Sequence, residues 1–233
     1  MIAVFKREFK SYFKTPIGYI FLAFYYFFLG LFFAELYGNG SPQVPELILS
    51  MSIIVTFTLP IITMRLLSED RRQKVDQVLF TAPVKLSGIV LGKFFAAFCV
   101  YAIGFAPTLI FELLVAAKIT VSFFSYFYAL LGMLLLGAAL ISIGLFISSL
   151  TESPSMAAII TLAVNIIAIL MTNIAEQIGV PWLSQICYKI AFVSAVESFG
   201  KMVLSIPDIV YFLSITAAFL FLTVRSLEKK RWA

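Results

Sequence analysis

The 233-residue chain contains no histidine. That removes imidazole acid–base catalysis, histidine-based nucleophile triads and most zinc chemistry. Its two cysteines, Cys99 and Cys187, stand too far apart for a Cys-x-x-Cys metal or redox pair. Both read as small hydrophobes, Cys99 within a long apolar run. Charge is scarce too: 12% of residues are Asp, Glu, Lys or Arg, against about 25% in an ordinary soluble domain. What is abundant is apolar, at 62% of the chain, and phenylalanine alone contributes 25 residues. This composition excludes a soluble globular domain and a disordered chain, and leaves a polytopic membrane protein.

A helix needs about 20 residues to cross roughly 30 Å of hydrocarbon. Six runs meet that length, at 17–36, 47–67, 90–116, 123–150, 156–175 and 207–226. The expected fold class is all-α, a polytopic membrane protein with six transmembrane helices. The first run is too long for a signal-peptide core and no small-x-small cleavage site follows it, so it is expected to remain as a span. The basic residues orient the bundle. With both termini cytoplasmic, that side carries Lys6, Arg7, Lys10, Lys14, Arg65, Arg71, Arg72, Lys74, Lys85, Lys93, Arg225, Lys229, Lys230 and Arg231. The opposite side carries only Lys118, Lys189 and Lys201. This asymmetry follows the positive-inside rule and assigns the net charge of +5 to topology, not to nucleic-acid binding.

Three segments are not simple spans. Residues 1–16 predict an amphipathic interfacial helix. Ile2, Phe5, Phe9, Tyr12 and Phe13 lie on one face, and Lys6, Arg7, Lys10 and Lys14 on the other. Thr15-Pro16 ends it. A basic flank that only sets topology is the alternative. Residues 68–89 form the one sizeable cytoplasmic loop. Ser68 is placed to cap a short helix, with Glu69 and Asp70 favourable in its first turn. Val75, Val78 and Leu79 make an apolar stripe, with Arg71, Arg72, Lys74 and Asp76 mostly on other faces. Pro83 breaks the helix, and Ser87 is placed to cap the third span. Such a helix suits docking to a soluble partner; a solvated loop is the alternative. Residues 176–206 are outside yet apolar, with Gly179 and Pro181 breaking the chain and a run from Ile186 to Val196 too short to span. They predict a re-entrant extracytoplasmic helical segment between spans five and six; an ordinary folded loop is the alternative.

Gly88-Ile-Val-Leu-Gly92-Lys93 imitates a phosphate-binding loop but lacks its spacing, its Ser or Thr and its preceding strand. The chain therefore carries no ATPase site, no catalytic residue and no metal site. Gly88 and Gly92, like Ala138/Ser142 and Gly144/Ser148, fit close helix packing. Polar groups at membrane depth are Glu35, Glu112 and Asn165, the last suited to a bond across helices. Pro60 and Pro107 interrupt spans two and three. No acid pair suggests ion coupling, and no triad or paired aspartate suggests an intramembrane enzyme.

The order of these features resembles the ABC-2 family of ABC-transporter permeases. The resemblance rests on a basic aromatic N-terminal helix and two spans. It rests also on the loop Ser68-Glu69-Asp70-Arg71-Arg72, Val78-Leu79-Phe80-Thr81-Ala82-Pro83-Val84 and Val90-Leu91-Gly92-Lys93, and on four further spans. Members often carry Gly-Thr or Gly-Ser where Val75-Asp76 stands here. The C-terminal stretches Pro207–Phe212 and Leu227–Trp232 are similar to the gliding-motility-associated branch. The resemblance implies a permease working with two separate ABC ATPase subunits, which bind the ATP and Mg; this chain binds no cofactor itself. It implies a second permease copy or a homologous permease, an auxiliary extracytoplasmic subunit in some assemblies, and contact with membrane lipid. The ATPase-coupling residues it implies are Glu69, Asp70, Arg71, Arg72, Lys74, Val75, Val78, Leu79, Phe80 and Pro83. Phe5, Lys6, Arg7, Phe9, Lys10 and Phe13 form the interfacial helix beside them. It implies a bacterial cytoplasmic membrane with both termini inside, and export of an amphipathic, lipid-linked, peptide or glycan cargo. An ABC-like module that turns ATPase cycles into envelope or motility work without transport is the alternative.

Overall fold

The computed structural model describes residues 1–38, 43–73, 85–118, 122–177, 192, 196, 199 and 206–232, with backbone alone over 171–177 and 231–232. The described residues form helices and no strand. The helices are α1 (Ile2–Lys14), α2 (Pro16–Gly38), α3 (Val44–Thr63), α4 (Ser68–Arg72), α5 (Leu86–Gly104), α6 (Ala106–Ala116), α7 (Phe123–Leu150), α8 (Pro154–Gln177) and α9 (Ile206–Trp232). Proline marks where many of them begin. Pro16 and Pro154 open α2 and α8, and Pro45, Pro107 and Pro207 are second residues of α3, α6 and α9. A proline there gives up an N–H that would have no helical partner anyway.

Five stretches are long and apolar enough to cross a membrane: Pro16–Gly38, Val44–Arg72, Leu86–Ala116, Phe123–Leu150 and Ile206–Lys230. The fifth expected span, 156–175, falls within α8, which is apolar over Pro154–Leu170. The chain is thus a polytopic all-α membrane protein. α7 is its central helix, 67% buried over its most apolar window, where α9 is 17% and α2 22% buried. It packs on α3, α5, α8 and α9.

Small residues let it do so. A Cβ added to Gly137 would lie 2.0 Å from Tyr101 Cε1, and one on Gly144 would lie 2.4 Å from Thr63 Oγ1. Gly144 belongs to a small-residue pair read from the sequence, and its partner surface is α3. Gly132 does the same for Phe199, whose ring would meet a Cβ at 2.8 Å. Phe192, Val196 and Phe199, all helical and buried, follow a three-and-four spacing. The rest of the predicted re-entrant segment between α8 and α9 lies outside the described residues. So do Lys74, Val75, Val78, Leu79, Phe80 and Pro83 of the predicted coupling loop.

The interruption expected at Pro107 is present, and local expectations are corrected at Ser68, at Ser87 and at the end of the last span. The third span is two helices, α5 and α6, broken at Phe105 just ahead of Pro107. Ser68 does not cap α4: Leu67 holds that position, and the Ser68 hydroxyl donates back to the Met64 carbonyl. Ser87 does not cap the third span, because α5 starts one residue earlier with Lys85 as its cap. The last helix continues beyond 226, the expected end of the sixth span, as far as Trp232.

Candidate functional site

One end of the bundle gathers α1, the α3–α4 turn, the start of α5 and the end of α7. α1 lies along α5 and α2, and Gly92 makes the approach possible. A Cβ on Gly92 would stand 3.1 Å from both the Met1 carbonyl oxygen and Val4 Cβ. Phe5, Phe9 and Phe13 stack in series at 5.8 and 5.2 Å and are half-buried against the core. The apolar face predicted for lipid is therefore shared with protein. Ile2 remains outside it, 70% exposed. Tyr12 is buried, and its hydroxyl donates to the Ile62 carbonyl at 3.0 Å. That carbonyl is in the last turn of α3, where helical donors run out.

The turn between α3 and α4 is satisfied from α7. Ser148 Oγ accepts from the backbone N–H of Leu67 at 3.1 Å and of Ser68 at 3.0 Å, and donates to the Met64 carbonyl at 3.2 Å. One hydroxyl thus serves the first N–H of α4, which is why Ser68 is not needed as a cap. Arg65 forks onto both carboxylate oxygens of Glu69 and also donates to Thr15 Oγ1 at 3.1 Å. The α1–α2 junction is in this way tied to α4.

Lys93 is the most buried charge here. Its side chain is 1% exposed, with Nζ 2.8 Å from Asp70 Oδ2 on α4 and 3.1 Å from Glu8 Oε1 on α1. Arg7 forks onto Glu8, at 2.6 Å by Nη2, and lies 3.9 Å from Asp70. Burial opposes ionisation of Glu8 and is the largest single influence on it. Lys93 and Arg7 together outweigh burial and hold its carboxyl below the ordinary 4.5. Two cations and two anions from three elements make a neutral group, fully buried at Lys93 and open at Arg7.

The four described coupling residues sort themselves by partner. Glu69 is held by Arg65 and Asp70 by Lys93. Arg71, read from the sequence as a partner contact, donates to the carbonyls of Ser149 at 3.3 Å and Thr151 at 3.5 Å, and pairs with Glu152 at 3.6 Å. It pins α4 to the α7–α8 turn. Arg72 is exposed. In α1, Lys6 and Lys10 are exposed as well. Between α1 and α4 opens a cleft of about 310 Å³, lined by Arg7, Glu8, Tyr12, Arg65, Glu69 and Asp70 among others.

The polar residues predicted at membrane depth are not brought to this corner. Glu35 is exposed at the far end of α2, and Glu112 is buried on α6 at 1% exposure. Asn165 Nδ2 donates across to the Thr56 carbonyl at 3.4 Å. Among the described residues no group of acidic and cysteine side chains could hold a metal ion. Sequence reading counted Lys93 only as a cytoplasmic charge and a motif letter and Ser148 only as a packing residue, and it passed over Glu8. The available signals were a lysine inside an apolar run and the lone acid of a basic helix.

No curated protein matches the chain. The family comparison does give a match, to the ABC-2 type transporter family over residues 1–204. Members of that family generally work with ABC ATPase subunits. The chain belongs to the ABC-2 type transporter family, as one of its transmembrane subunits.

Proposed function

We propose that this chain is the export permease of an ABC-2 transporter, driven by a separate ATPase that docks on the corner formed by α1, α4 and the start of α5. The observation that carries this reading is the anchoring of α4. Its N-terminus is held by Ser148 of α7 and its Asp70 by Lys93 of α5, while Arg72 and Gln73 are exposed. A short helix clamped to the spans on one side and bare on the other can pass a push from outside into the bundle. Lys74, Val75, Val78, Leu79, Phe80 and Pro83, which follow Gln73 in the sequence, are the further contacts this reading expects.

In this reading two ATPase subunits bind the ATP and Mg and do the hydrolysis, and this chain supplies no catalytic group. Two permease copies, or one with a homologue, complete the pathway in a bacterial cytoplasmic membrane, both termini facing the cytoplasm. α2 exposes Tyr19, Phe24, Phe27 and Leu31, a face suited to lipid or to an amphipathic, lipid-linked, peptide or glycan cargo.

Affinity purification in mild detergent tests the reading. An ABC ATPase is expected to co-purify in equal stoichiometry, and Arg72→Glu is expected to reduce its recovery and alter its ATP turnover. With both native cysteines replaced by alanine, Arg72→Cys should react with an impermeant maleimide only in inverted vesicles. A chain that purifies alone, or an Arg72→Cys labelled from outside, would overturn the assignment.

A further inference from the structure

We propose that Lys93 is a positioning residue that locks α1 and α4 into one rigid body, so that the interfacial helix travels with the coupling helix through the ATPase cycle. The inference rests on the coupling function proposed for α4. Lys93 lies seven residues into α5, roughly 10 Å along its axis, and is 1% exposed. Its ammonium is shared between Glu8 of α1 at 3.1 Å and Asp70 of α4 at 2.8 Å. α1 and α4 share little direct packing with one another; the ion group joins them, with Arg7 3.9 Å from Asp70, and Arg65 bridges Thr15 and Glu69 beside it.

The physics of buried charge makes this connection stiff. The group is neutral only while Arg7, Glu8, Asp70 and Lys93 stay together. Withdrawing Asp70 alone would strand a buried ammonium beside one carboxylate that already serves Arg7, and an uncompensated buried charge carries a large penalty. Such a pair is also little screened by salt. Gly92, the neighbouring residue, removes the side chain that would hold α1 away from α5. Gly92 and Lys93 thus act together, the glycine admitting α1 and the lysine fastening it to α4. A displacement applied to α4 must carry α1 with it.

Spin labels on the exposed positions Lys14→Cys and Gln73→Cys, with Cys99 and Cys187 replaced by alanine, report the α1–α4 separation in the purified permease–ATPase complex. The separation is expected to be the same without nucleotide and with vanadate-trapped ADP. In Lys93→Met it should differ between the two states, and the permease-dependent change in ATP turnover should fall by roughly threefold or more with the ATPase still bound. Glu8→Gln, a milder change, should shift both readouts in the same direction if Lys93→Met folds poorly. A separation that changes in the unlocked and the native protein alike, or variants with native separation and turnover, would overturn the lock. Failure of any ATPase to co-purify would instead overturn the coupling function on which it rests.

Discussion

Asn165 Nδ2 donates at 3.4 Å to the carbonyl of Thr56, and Thr56 stands four residues before Pro60. Proline has no N–H, so the carbonyl four residues earlier loses its helical partner. Asn165 of α8 replaces it from across the α3–α8 seam. Both residues are buried at 1% exposure.

Asn165→Leu is therefore expected to destabilise the protein in detergent by about 0.5–1.5 kcal/mol. In a Pro60→Ala background the restored N–H serves Thr56, and the same substitution should cost less. A double-mutant cycle on thermal unfolding checks this. Equal losses in both backgrounds would contradict the account.

Gly137 receives the ring of Tyr101, whose hydroxyl donates to the Met133 carbonyl at 2.7 Å. Gly137→Ala should cost at least about 1–3 kcal/mol through overpacking. Tyr101→Phe, which removes only the hydrogen bond, should cost about 1 kcal/mol. Combining Gly137→Ala with Tyr101→Leu should recover part of the first loss, measured by melting in detergent.

Ser148→Ala strips two backbone donors of the α3–α4 turn of their partner, while the Met64 carbonyl keeps the Ser68 hydroxyl. The expected loss is about 1–3 kcal/mol, and it should be local. Amide exchange should rise most over residues 64–70, with the centre of α7 unchanged. Uniform acceleration along the chain would point to a global effect instead.

Glu8 has its carboxyl held below the ordinary 4.5 by Lys93 and Arg7 against the opposing effect of burial. A depressed acid adds stability at pH values above its unfolded value, and that stability is lost as pH falls through the folded one. Melting temperature should be level above about pH 5 and decline on acidification. Glu8→Gln should melt lower than the native protein at neutral pH, and the gap should close in acid. Parallel curves would show that Glu8 is not linked to folding.

Much of the fold was legible because membrane helices announce themselves locally. Apolar runs and the Thr15-Pro16 break placed the elements within a few residues. Less of the corner could be read. Ser68 and Ser87 have the right chemistry for caps, but capping is decided by what else reaches the same N–H groups, and Ser148 reaches them from 80 residues away. Arg71 has the composition of a partner contact, yet the end of α7 offers it carbonyls first. Gly92 was read as a packing residue, but not that α1 is what packs on it.

The amino-acid sequence alone determined an all-α membrane protein with one basic end. Hydrocarbon satisfies no backbone polar group, so a spanning chain must write its helices as long apolar runs, and that is a property of consecutive residues. Only the tertiary structure decided which charges at that end lie on the surface and which are buried among partners. Lys6 stands in a basic helix and Lys93 in an apolar run, but the sequence names no partner for either. The packing of α1 and α4 on α5 leaves the first in the open and closes the second between two carboxylates, and the strength of a charge depends on the distance and dielectric that such packing sets.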